Sequence, residues 1–536
     1  MKKIFLIVAA IAAIAVSGVT AQHREFTPAD KLRYAFAIIE GFYVDSVDSN
    51  KIVEEGIVSM LKELDPHSAY SNPEETKEMT APLQGNFSGI GIQFNMLNDT
   101  LFVIQTTAGG PSEKVGILAG DRILSANDTL ISGVNKKNTD VIKLLRGPKG
   151  TRVDVKVLRR GEKEPLEFRI VRDDIPIYSV DASYMADPTT GYIRLSRFSE
   201  TSVKEINEAM AKLRKQGMKN LILDLQDNGG GLMGPASELS EKFLRRGDMI
   251  VFTKGRVHRP NKFLAEVDGD FQEGRVVVLV NQYSASASEI LSGALQDNDR
   301  GVIVGRRTFG KGLVQRPMPF PDGSMIKLTY SRYYTPSGRC IQKPYAKGHP
   351  DDYNDDMLKR YESGELMHAD SIHLDKSEKY YTLRNKRVVY GGGGIMPDLF
   401  VPLDTTSYSP YYRNLVAKGA LNQYCIDYVD SHRKELKKQY PTEDAFISGF
   451  KVTPELMRGL VEWGVKEGVE YVDKDYSTSK MMMETIVKAM IGRDLYDVST
   501  YYRIANTLNP VYTEGLRLIN DSKAYDSLLA PPSKPE

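Results

Sequence analysis

The stretch RVVVLVNQYSASASEILSGALQDNDRGVIVGRRTFGKGLVQ, residues 275–315, decides the fold. It opens with Arg275–Val280, an apolar run typical of a buried β-strand. A helical pattern follows over Ser286–Leu295, and Gly301–Val304 is a second apolar run. The order strand, helix, strand predicts a largely parallel sheet covered by helices. Ser286 then lies at a strand-to-helix turn on the carboxyl edge of the sheet, where ligand sites of such folds occur.

The same alternation extends outward from this stretch, from Ile175 to about Val401. Upstream, the pattern predicts two strands and two helices, which are Tyr192–Leu195, Ser202–Lys215, Asn220–Leu225 and Pro235–Leu244. We therefore assign residues 175–404 to one α/β core. Within it, residues 344–375 are polar and rich in charge, which predicts an insert that runs over the surface.

Three further regions surround this core. Residues 22–84 carry apolar residues at helical spacing and are expected to be helical. Residues 85–174 contain short β-rich runs split by Gly, Asn and Asp, which predicts a small β-rich domain with one helix at Thr139–Leu145. Residues 405–536 are predicted to be helical, with helices at Glu443–Ile447, Pro454–Glu467, Thr478–Ile491 and Thr500–Asn506.

Composition excludes several classes of protein. The chain has 536 residues, 26% of them charged and 41% hydrophobic, which is ordinary for a folded protein of several domains. The formal net charge of +1 gives no reason to expect nucleic acid as a partner. The chain has 2 cysteines, Cys340 and Cys425, so it cannot build a thiolate zinc cage, and the sequence leaves their pairing open. We expect neither a metal nor a cofactor.

The first 21 residues are predicted to be a secretory signal peptide. Lys2 and Lys3 precede an apolar run, Ile4–Val16, and small residues lead to a cleavage site after Ala21. The apolar run is short for a membrane span of ~20 residues, so a permanent anchor is the weaker alternative. We expect an exported protein of the periplasm or cell envelope that is soluble once the signal is removed.

Ser286 and Lys311 are the candidate catalytic residues. Ser286 at a helix start would have free amides nearby to stabilise an oxyanion, although a Ser with Glu289 three residues later also fits a simple capping box. Lys311 lies between glycines and near Phe309, Leu313 and Val314, and such a dry setting lowers the pKa of an amine towards that of a base. A solvated loop lysine is the alternative.

Two neighbouring features refine this hypothesis. If residues 311–315 are extended, Gln315 shares a face with Lys311 and orients its amine. Residues 305–311 also resemble a phosphate-binding loop, but Gly312 lacks the hydroxyl that holds magnesium, and the prolines that follow prevent a helix. A nucleotide site is therefore excluded.

A glycine turn, Asp227–Gly231, follows the strand Asn220–Leu225. Such a turn can aim backbone amides into a cavity, or it can simply be a tight connection between a strand and a helix. Asp297 follows Ser286 by eleven residues, and in one helix this separates the two by ~16 Å. We therefore interpret Asp297 as structural, with Arg300 as its candidate partner.

Together these motifs resemble the carboxyl-terminal processing (tail-specific) serine peptidases. The resemblance covers roughly residues 30 to 400 and includes Leu64–Ser68, residues 87–94, the glycine turn, residues 284–315 and Gly393–Asp398. It implies a crotonase/ClpP-like α/β protease core with a parallel-rich sheet, a β-rich PDZ domain, and helical N- and C-terminal regions.

The resemblance also implies roles for individual residues. Ser286 would be the nucleophile, Lys311 the general base and Gln315 the residue that positions the lysine, while the amides of Ala287 and Gly230 would form the oxyanion hole. The family commonly has Arg at the place of Gln226 and often Pro at the place of Gly229, and both departures affect the order of the oxyanion loop.

The β-rich domain resembles a PDZ module, which binds a peptide's C-terminal strand at a sheet edge and holds its carboxylate with loop amides. Residues Ser88, Gly89, Ile90, Gly91 and Ile92 would form that loop. The expected partners are proteins or peptides with apolar C-terminal tails, and a homo-oligomer or an adaptor protein is a further candidate. Two alternatives remain: a non-catalytic binding protein on the same fold, and a Ser-His hydrolase that uses His67.

Overall fold

The computed structural model describes residues 25–97, 99–257, 259–349, 352–353, 355–373 and 375–532. The predicted signal peptide lies outside these residues. Contacts divide the chain into a unit that ends at Glu63 and a unit that begins at Leu64. None of the described helices combines the length and the apolarity needed to cross a lipid bilayer.

The helices of the described residues alternate with strands in the middle of the chain and follow one another at both ends. They are α1 Pro28–Phe42, α2 Ser49–Lys62, α3 Pro73–Gln84, α4 Pro111–Lys114, α5 Asn138–Leu145, α6 Ser202–Lys215, α7 Met233–Glu241, α8 Ala287–Asp297, α9 Asp356–Glu362, α10 Pro410–Ala417, α11 Ala420–Gln439, α12 Glu443–Gly449, α13 Pro454–Lys466, α14 Asp473–Leu495, α15 Val498–Ala505, α16 Pro510–Asn520 and α17 Ser522–Leu529.

The strands build three larger sheets and two short ribbons. They are β1 Ala69–Ser71, β2 Asn86–Gly89, β3 Ile92–Leu97, β4 Thr100–Thr106, β5 Arg122–Ala126, β6 Thr129–Leu130, β7 Arg152–Leu158, β8 Leu166–Val171, β9 Asp173–Pro176, β10 Val180–Met185, β11 Thr190–Leu195, β12 Asn220–Asp224, β13 Met249–Lys254, β14 Asn261–Leu264, β15 Val276–Val280, β16 Val302–Gly305, β17 Leu313–Pro319, β18 Met325–Tyr334, β19 Lys379–Tyr381, β20 Val388–Tyr390 and β21 Leu399–Phe400.

The central sheet has six strands in the order β10-β11-β12-β15-β16-β21. Strands β11, β12, β15, β16 and β21 are parallel, and β10 pairs antiparallel with β11 at one edge. The predicted parallel sheet is therefore confirmed. Because side chains alternate along a strand, Val276, Val278 and Val280 of β15 face helices α6, α7 and α8, while Val277 and Leu279 face the opposite side.

The opposite face of this sheet is covered by the last helices of the chain. The side chains from α16 and α17 that pack on it are Val511, Tyr512, Leu518, Ile519 and Tyr525. The Tyr525 hydroxyl group bonds to the backbone of Val276 in β15. The predicted boundary at residue 404 is therefore wrong for this segment, because α16 and α17 complete the core that we assigned to residues 175–404.

The other sheets flank this core. Strands β3, β4, β5, β7 and β8 form the β-rich domain, with β6 paired to β5. Strands β13, β14, β17 and β18 form an antiparallel sheet that β1 joins at one edge. Residues 411–505 build a separate helical core around side chains such as Leu415, Phe446 and Met483. Cys425 lies buried in that core, and both cysteines are free thiols.

Candidate active site

Ser286 lies at the turn between β15 and α8, as predicted from the sequence. Its backbone has φ +55° and ψ −112°, a conformation that residues with a side chain rarely adopt. Two contacts hold it there: the Ser286 amide donates to Glu289 Oε2 at 2.8 Å, and the Tyr333 hydroxyl donates to the Ser286 carbonyl oxygen at 3.1 Å. These two contacts therefore hold the backbone of the turn that carries the partly buried Ser286 side chain.

Glu289 is fully buried and joins the turn of Ser286 to the loop of Lys311. Its carboxylate accepts hydrogen bonds from the Ser286 amide, the Thr308 hydroxyl, the Gly310 amide and the Lys311 amide at 2.6–2.9 Å. Burial raises the pKa of Glu289 to about 7, and the four donors oppose that rise by stabilising the ionised form. The sequence showed this residue only as part of a capping box, because its partners at 308–311 are distant in the chain.

Lys311 lines the same cavity as Ser286. The cavity has a volume of about 420 Å³, and its apolar lining includes Leu83, Ile290 and Met325. Burial, and next the nearby charge of Lys327, lower the pKa of Lys311 to about 8, while Glu289 and Asp65 act in the opposite direction. In the described part of the chain no hydrogen bond links the two catalytic candidates directly. The cavity gives Lys311 the dry setting that a lysine base requires.

Gln315 also lines this cavity, but its side-chain amide donates to Thr329 Oγ1 at 3.2 Å. The Thr329 hydroxyl group in turn donates to Asp65 Oδ1 at 3.0 Å. Asp65 is buried and also accepts bonds from the Ser68 amide and hydroxyl groups. The segment Leu64–Ser68 therefore fixes Gln315 through β18, a role that the sequence alone did not reveal.

His67 lies at the edge of this region as a neutral imidazole. Burial lowers the pKa of His67 to about 3, and the charge of Lys311 contributes in the same direction. Its Nε2 atom is 2.9 Å from the Tyr353 hydroxyl group. The ring is thus engaged with the insert, and this contact does not favour a Ser-His mechanism.

The two predicted oxyanion donors differ in their availability. The Ala287 amide begins α8 and has no hydrogen-bond acceptor among the described residues, so it is available to an oxyanion. The Gly230 amide instead donates to Asn228 Oδ1 at 2.9 Å. The Asn228 side chain of the same glycine turn thus occupies the predicted Gly230 donor in this structure, and its role as an oxyanion donor stays a prediction.

Arg194 lies beside Gln226 and the glycine turn Asp227–Gly231. Its guanidinium group donates to Asp224 Oδ2 at 2.9 Å and to the Gln226 carbonyl oxygen at 3.0 Å. The Tyr502 ring covers it, with 4.7 Å between the guanidinium carbon and the ring centroid. A neighbouring strand thus supplies a guanidinium group to this turn, while the buried Gln226 Nε2 atom has no hydrogen-bond partner among the described residues.

Asp297 ends α8 and forms an ion pair with Arg339 at 2.7 Å, and both side chains have 0% exposure. Its other carboxylate oxygen accepts the Ser337 amide at 3.0 Å. Arg300 donates instead to carbonyl oxygens of Phe243 and Phe271. The expected pairing of Asp297 with Arg300 is therefore wrong, because Arg339 reaches Asp297 from a distant loop.

The predicted peptide-binding loop, residues 88–92, spans the end of β2 and the start of β3. The turn that joins these two strands is shorter than the five residues expected. Ser88 and Gly89 belong to β2 and pair with Asp174 and Asp173 of β9, and Ile92 begins β3. The Ile90 side chain is buried in the core of the β-rich domain, with 2% exposure, so it is not available to a ligand. Ile90 and Gly91 alone form the turn, and the expectation of a five-residue loop is wrong.

Most described residues of the insert at 344–375 are exposed, as its composition predicted, but a few buried side chains join it to the loop of Lys311. The Tyr353 ring is buried and packs edge-on against Phe309, two residues before Lys311. Arg360 is also buried, and its guanidinium group donates to the carbonyl oxygens of Thr308 and Arg307. Charged residues here form a buried network with the loop of Lys311, which a composition argument cannot detect.

Comparison with known proteins places these features in one family. The model of peptidase family S41 matches residues 189–353, and a PDZ-domain model matches residues 88–170. A carboxy-terminal-processing protease of Bartonella bacilliformis is 38% identical over 305 residues, which are 56% of this chain and 69% of the relative. This chain belongs to the carboxy-terminal-processing proteases.

Further matches include a second relative, two family models for the ends of the chain and a solved structure. The carboxy-terminal processing protease CtpA of Bacillus subtilis is 35% identical over 345 residues, 63% of this chain and 73% of the relative. The model of the CtpB N-terminal domain matches residues 11–76, and a family of unknown function matches residues 411–497. A photosystem II D1 C-terminal processing protease structure covers 59% of this chain and 84% of its own, at 29% identity and a TM-score of 0.35. The predicted family and its combination of protease core and PDZ domain are confirmed.

Proposed function

We propose that this processing protease is an exported serine endopeptidase in which Ser286 is the nucleophile and Lys311 the general base. The observation that carries the proposal is the shared cavity of about 420 Å³, which is lined by both the Ser286 turn and the partly buried Lys311 side chain. A pKa of about 8 leaves part of the Lys311 population unprotonated near neutral pH. Such an amine can accept the proton of a serine hydroxyl group.

The reaction follows from these positions. Ser286 Oγ bonds to the carbonyl carbon of the substrate while its proton passes to Lys311 Nζ. The resulting oxyanion accepts the Ala287 amide, and it accepts the Gly230 amide after that group leaves Asn228 Oδ1. Lys311 then protonates the leaving amine, and water hydrolyses the acyl-enzyme by the reverse proton path. Gln315, held by Thr329, limits the movement of the Lys311 side chain in the cavity.

Replacing Lys311 by Ala tests the base. We expect a ~10²–10⁴-fold loss of kcat/KM on an unfolded protein substrate, because the hydroxyl group loses its proton acceptor. The wild-type rate should rise with pH and level off above about pH 8, since only the unprotonated amine is active. Ser286→Ala is the inactive reference, and Lys254→Ala, an exposed lysine of β13, is the matched control. A folded Lys311→Ala protein with near wild-type turnover would contradict the proposal.

We propose further that the PDZ domain selects substrates by apolar C-terminal tails. The turn at Ile90–Gly91 precedes β3, the strand at one end of the PDZ sheet, and this geometry suits an added strand with its carboxylate at the turn. Hydrogen bonds to a charged group contribute ~1.5–3 kcal/mol, so C-terminal amidation of a long substrate should reduce its cleavage roughly ten- to a hundredfold. Equal cleavage of both forms at sub-saturating concentration would show that the tail carboxylate is not recognised.

The alternative function, a binding protein without catalysis, predicts a different result. Such a protein would bind the free-acid tail but would neither cleave the substrate nor react with a fluorophosphonate probe at Ser286. Peptide binding and covalent labelling, measured on the same preparation, separate the two functions.

Export and self-association complete the proposal. The small residues before Gln22 support removal of residues 1–21, and N-terminal sequencing of exported protein should begin at Gln22.

Helix α1 has no buried residue, and Leu32, Tyr34 and Phe42 are exposed on it. Such an apolar surface supports a homo-oligomer or an adaptor as a partner. Sedimentation of the purified protein at several concentrations tests the first, and a monomer throughout would contradict it.

A further inference from the structure

Lys327 is a second lysine in the catalytic cavity. Strand β18 carries it between Met325 and Thr329, and the alternation of a strand places these three side chains on one face. Met325 and Lys327 line the cavity together with Ser286 and Lys311. The next residue on this face, Thr329, accepts the hydrogen bond of Gln315. Lys327 therefore belongs to the strand face that also orders the candidate catalytic glutamine.

No carboxylate in the described residues forms an ion pair with this lysine. Burial alone accounts for the lowered pKa of Lys327, whereas nearby lysines such as Lys343 have an acidic partner, here Asp356. A partly buried ammonium group without a counter-ion is costly, so a purely structural role does not explain it. Lys327 therefore adds a positive charge to the cavity lining that no carboxylate of the described residues neutralises.

The groups that face Lys311 show what that charge acts on. Glu289 contacts the backbone of Lys311 from α8, and Asp65 acts from the segment before β1; both carboxylates favour the protonated amine. His67 is neutral and adds no charge. Lys327 is the charged group that opposes the two carboxylates. Burial is the larger cause of the lowered pKa of Lys311, and the charge of Lys327 adds to it against the two carboxylates.

We propose that Lys327 is a positioning residue for the reaction, whose ammonium group in the shared cavity increases the fraction of Lys311 amine in the unprotonated form that accepts the Ser286 proton. The inference rests on the proposed function, because it assumes that Lys311 is the base. It assigns to Lys327 no contact with the reacting atoms. Its effect is electrostatic, so it depends on the charge at this position and not on the lysine side chain as such.

The test is the pH dependence of Ser286 reactivity in the full mature chain. We would measure kcat/KM and the rate of fluorophosphonate labelling over roughly pH 6 to 10, a range that spans the titration of Lys311. In Lys327→Gln the midpoint should rise by about one pH unit, which lowers the rate roughly tenfold below the midpoint and leaves the plateau at high pH unchanged. Lys327→Arg keeps the charge and should retain the wild-type midpoint.

The controls separate this inference from the proposed function. Lys254→Gln removes an exposed charge from the same sheet and should leave the midpoint unchanged. Lys327→Met provides a second neutral variant if Lys327→Gln does not fold. An unmoved midpoint in a folded neutral variant, or a lower plateau alone, would overturn the inference. If Lys311→Ala is itself active, the proposed function fails instead, whatever the result at position 327.

Discussion

Gly230→Ala should inactivate the protease while its neighbour Gly229→Ala should not. Gly230 has φ +102°, where a residue with a side chain is strained by roughly 1–2 kcal/mol. An added Cβ would also lie 2.7 Å from the Ala285 carbonyl oxygen, 2.8 Å from Ser286 Cβ and 3.0 Å from the Ala287 amide nitrogen. Two of these atoms are backbone, so the glycine turn and the nucleophile turn must move apart. Loss of one oxyanion donor alone costs ~10²–10³-fold in kcat.

The assay combines turnover with thermal unfolding. For Gly230→Ala we expect at least that loss of kcat and a folded protein, because the strain is small compared with a typical stability of about 5–15 kcal/mol. Gly229→Ala is the matched control, since no atom lies within 4 Å of its added Cβ and its φ is not positive. Wild-type kcat in Gly230→Ala would refute the placement of this turn against Ser286. Equal losses in both variants would show that the turn tolerates no side chain for a different reason.

Three further predictions concern the contacts that hold the site. Glu289→Gln places an amide group among four donors and should lower kcat/KM by ~10²-fold, which steady-state kinetics would show and a wild-type rate would disprove. Asp297→Asn leaves Arg339 buried and unpaired, so urea unfolding should report a loss of about 3–5 kcal/mol, and unchanged stability would contradict the buried pair. Arg360→Met frees the carbonyl oxygens of Thr308 and Arg307, and we expect lower kcat without unfolding; unchanged kcat would mean that the insert does not support the loop.

The sequence sufficed for features that local patterns encode. The alternation of apolar runs and helical stripes over 275–304 predicted β15, α8 and β16, because each element buries one face of a regular pattern. The strand-to-helix turn then placed Ser286 at the sheet edge. Each of these predictions required only residues that lie close to one another in the sequence.

Several features that the sequence missed depend on residues far apart in the chain. Arg339 reaches Asp297 across 42 positions, and Arg360 reaches Thr308 across 52. Arg194 carries the guanidinium group beside Gln226 from a different strand. A charged residue looks the same in a sequence whether it is solvated or paired in the interior, so composition assigned the insert to the surface. Whether a charged side chain lies at the surface or in the interior depends on the partner that it finds, and not on its residue type.

Helix α15 and the helices after it support the glycine turn and the central sheet in two ways, and the magnitudes of the two contributions differ. Tyr502 covers Arg194, and a cation–π contact of this kind contributes about 1 kcal/mol. Helices α16 and α17 bury several large apolar side chains on the sheet, each with roughly 1.5–3 kcal/mol of transfer free energy as an upper bound. Gly515 allows this close approach, because an added Cβ would lie 2.7 Å from Leu279 Cδ2. Burial therefore outweighs the ring contact: the terminal helices hold the sheet that carries Ser286, and Tyr502 only adjusts one loop at its edge.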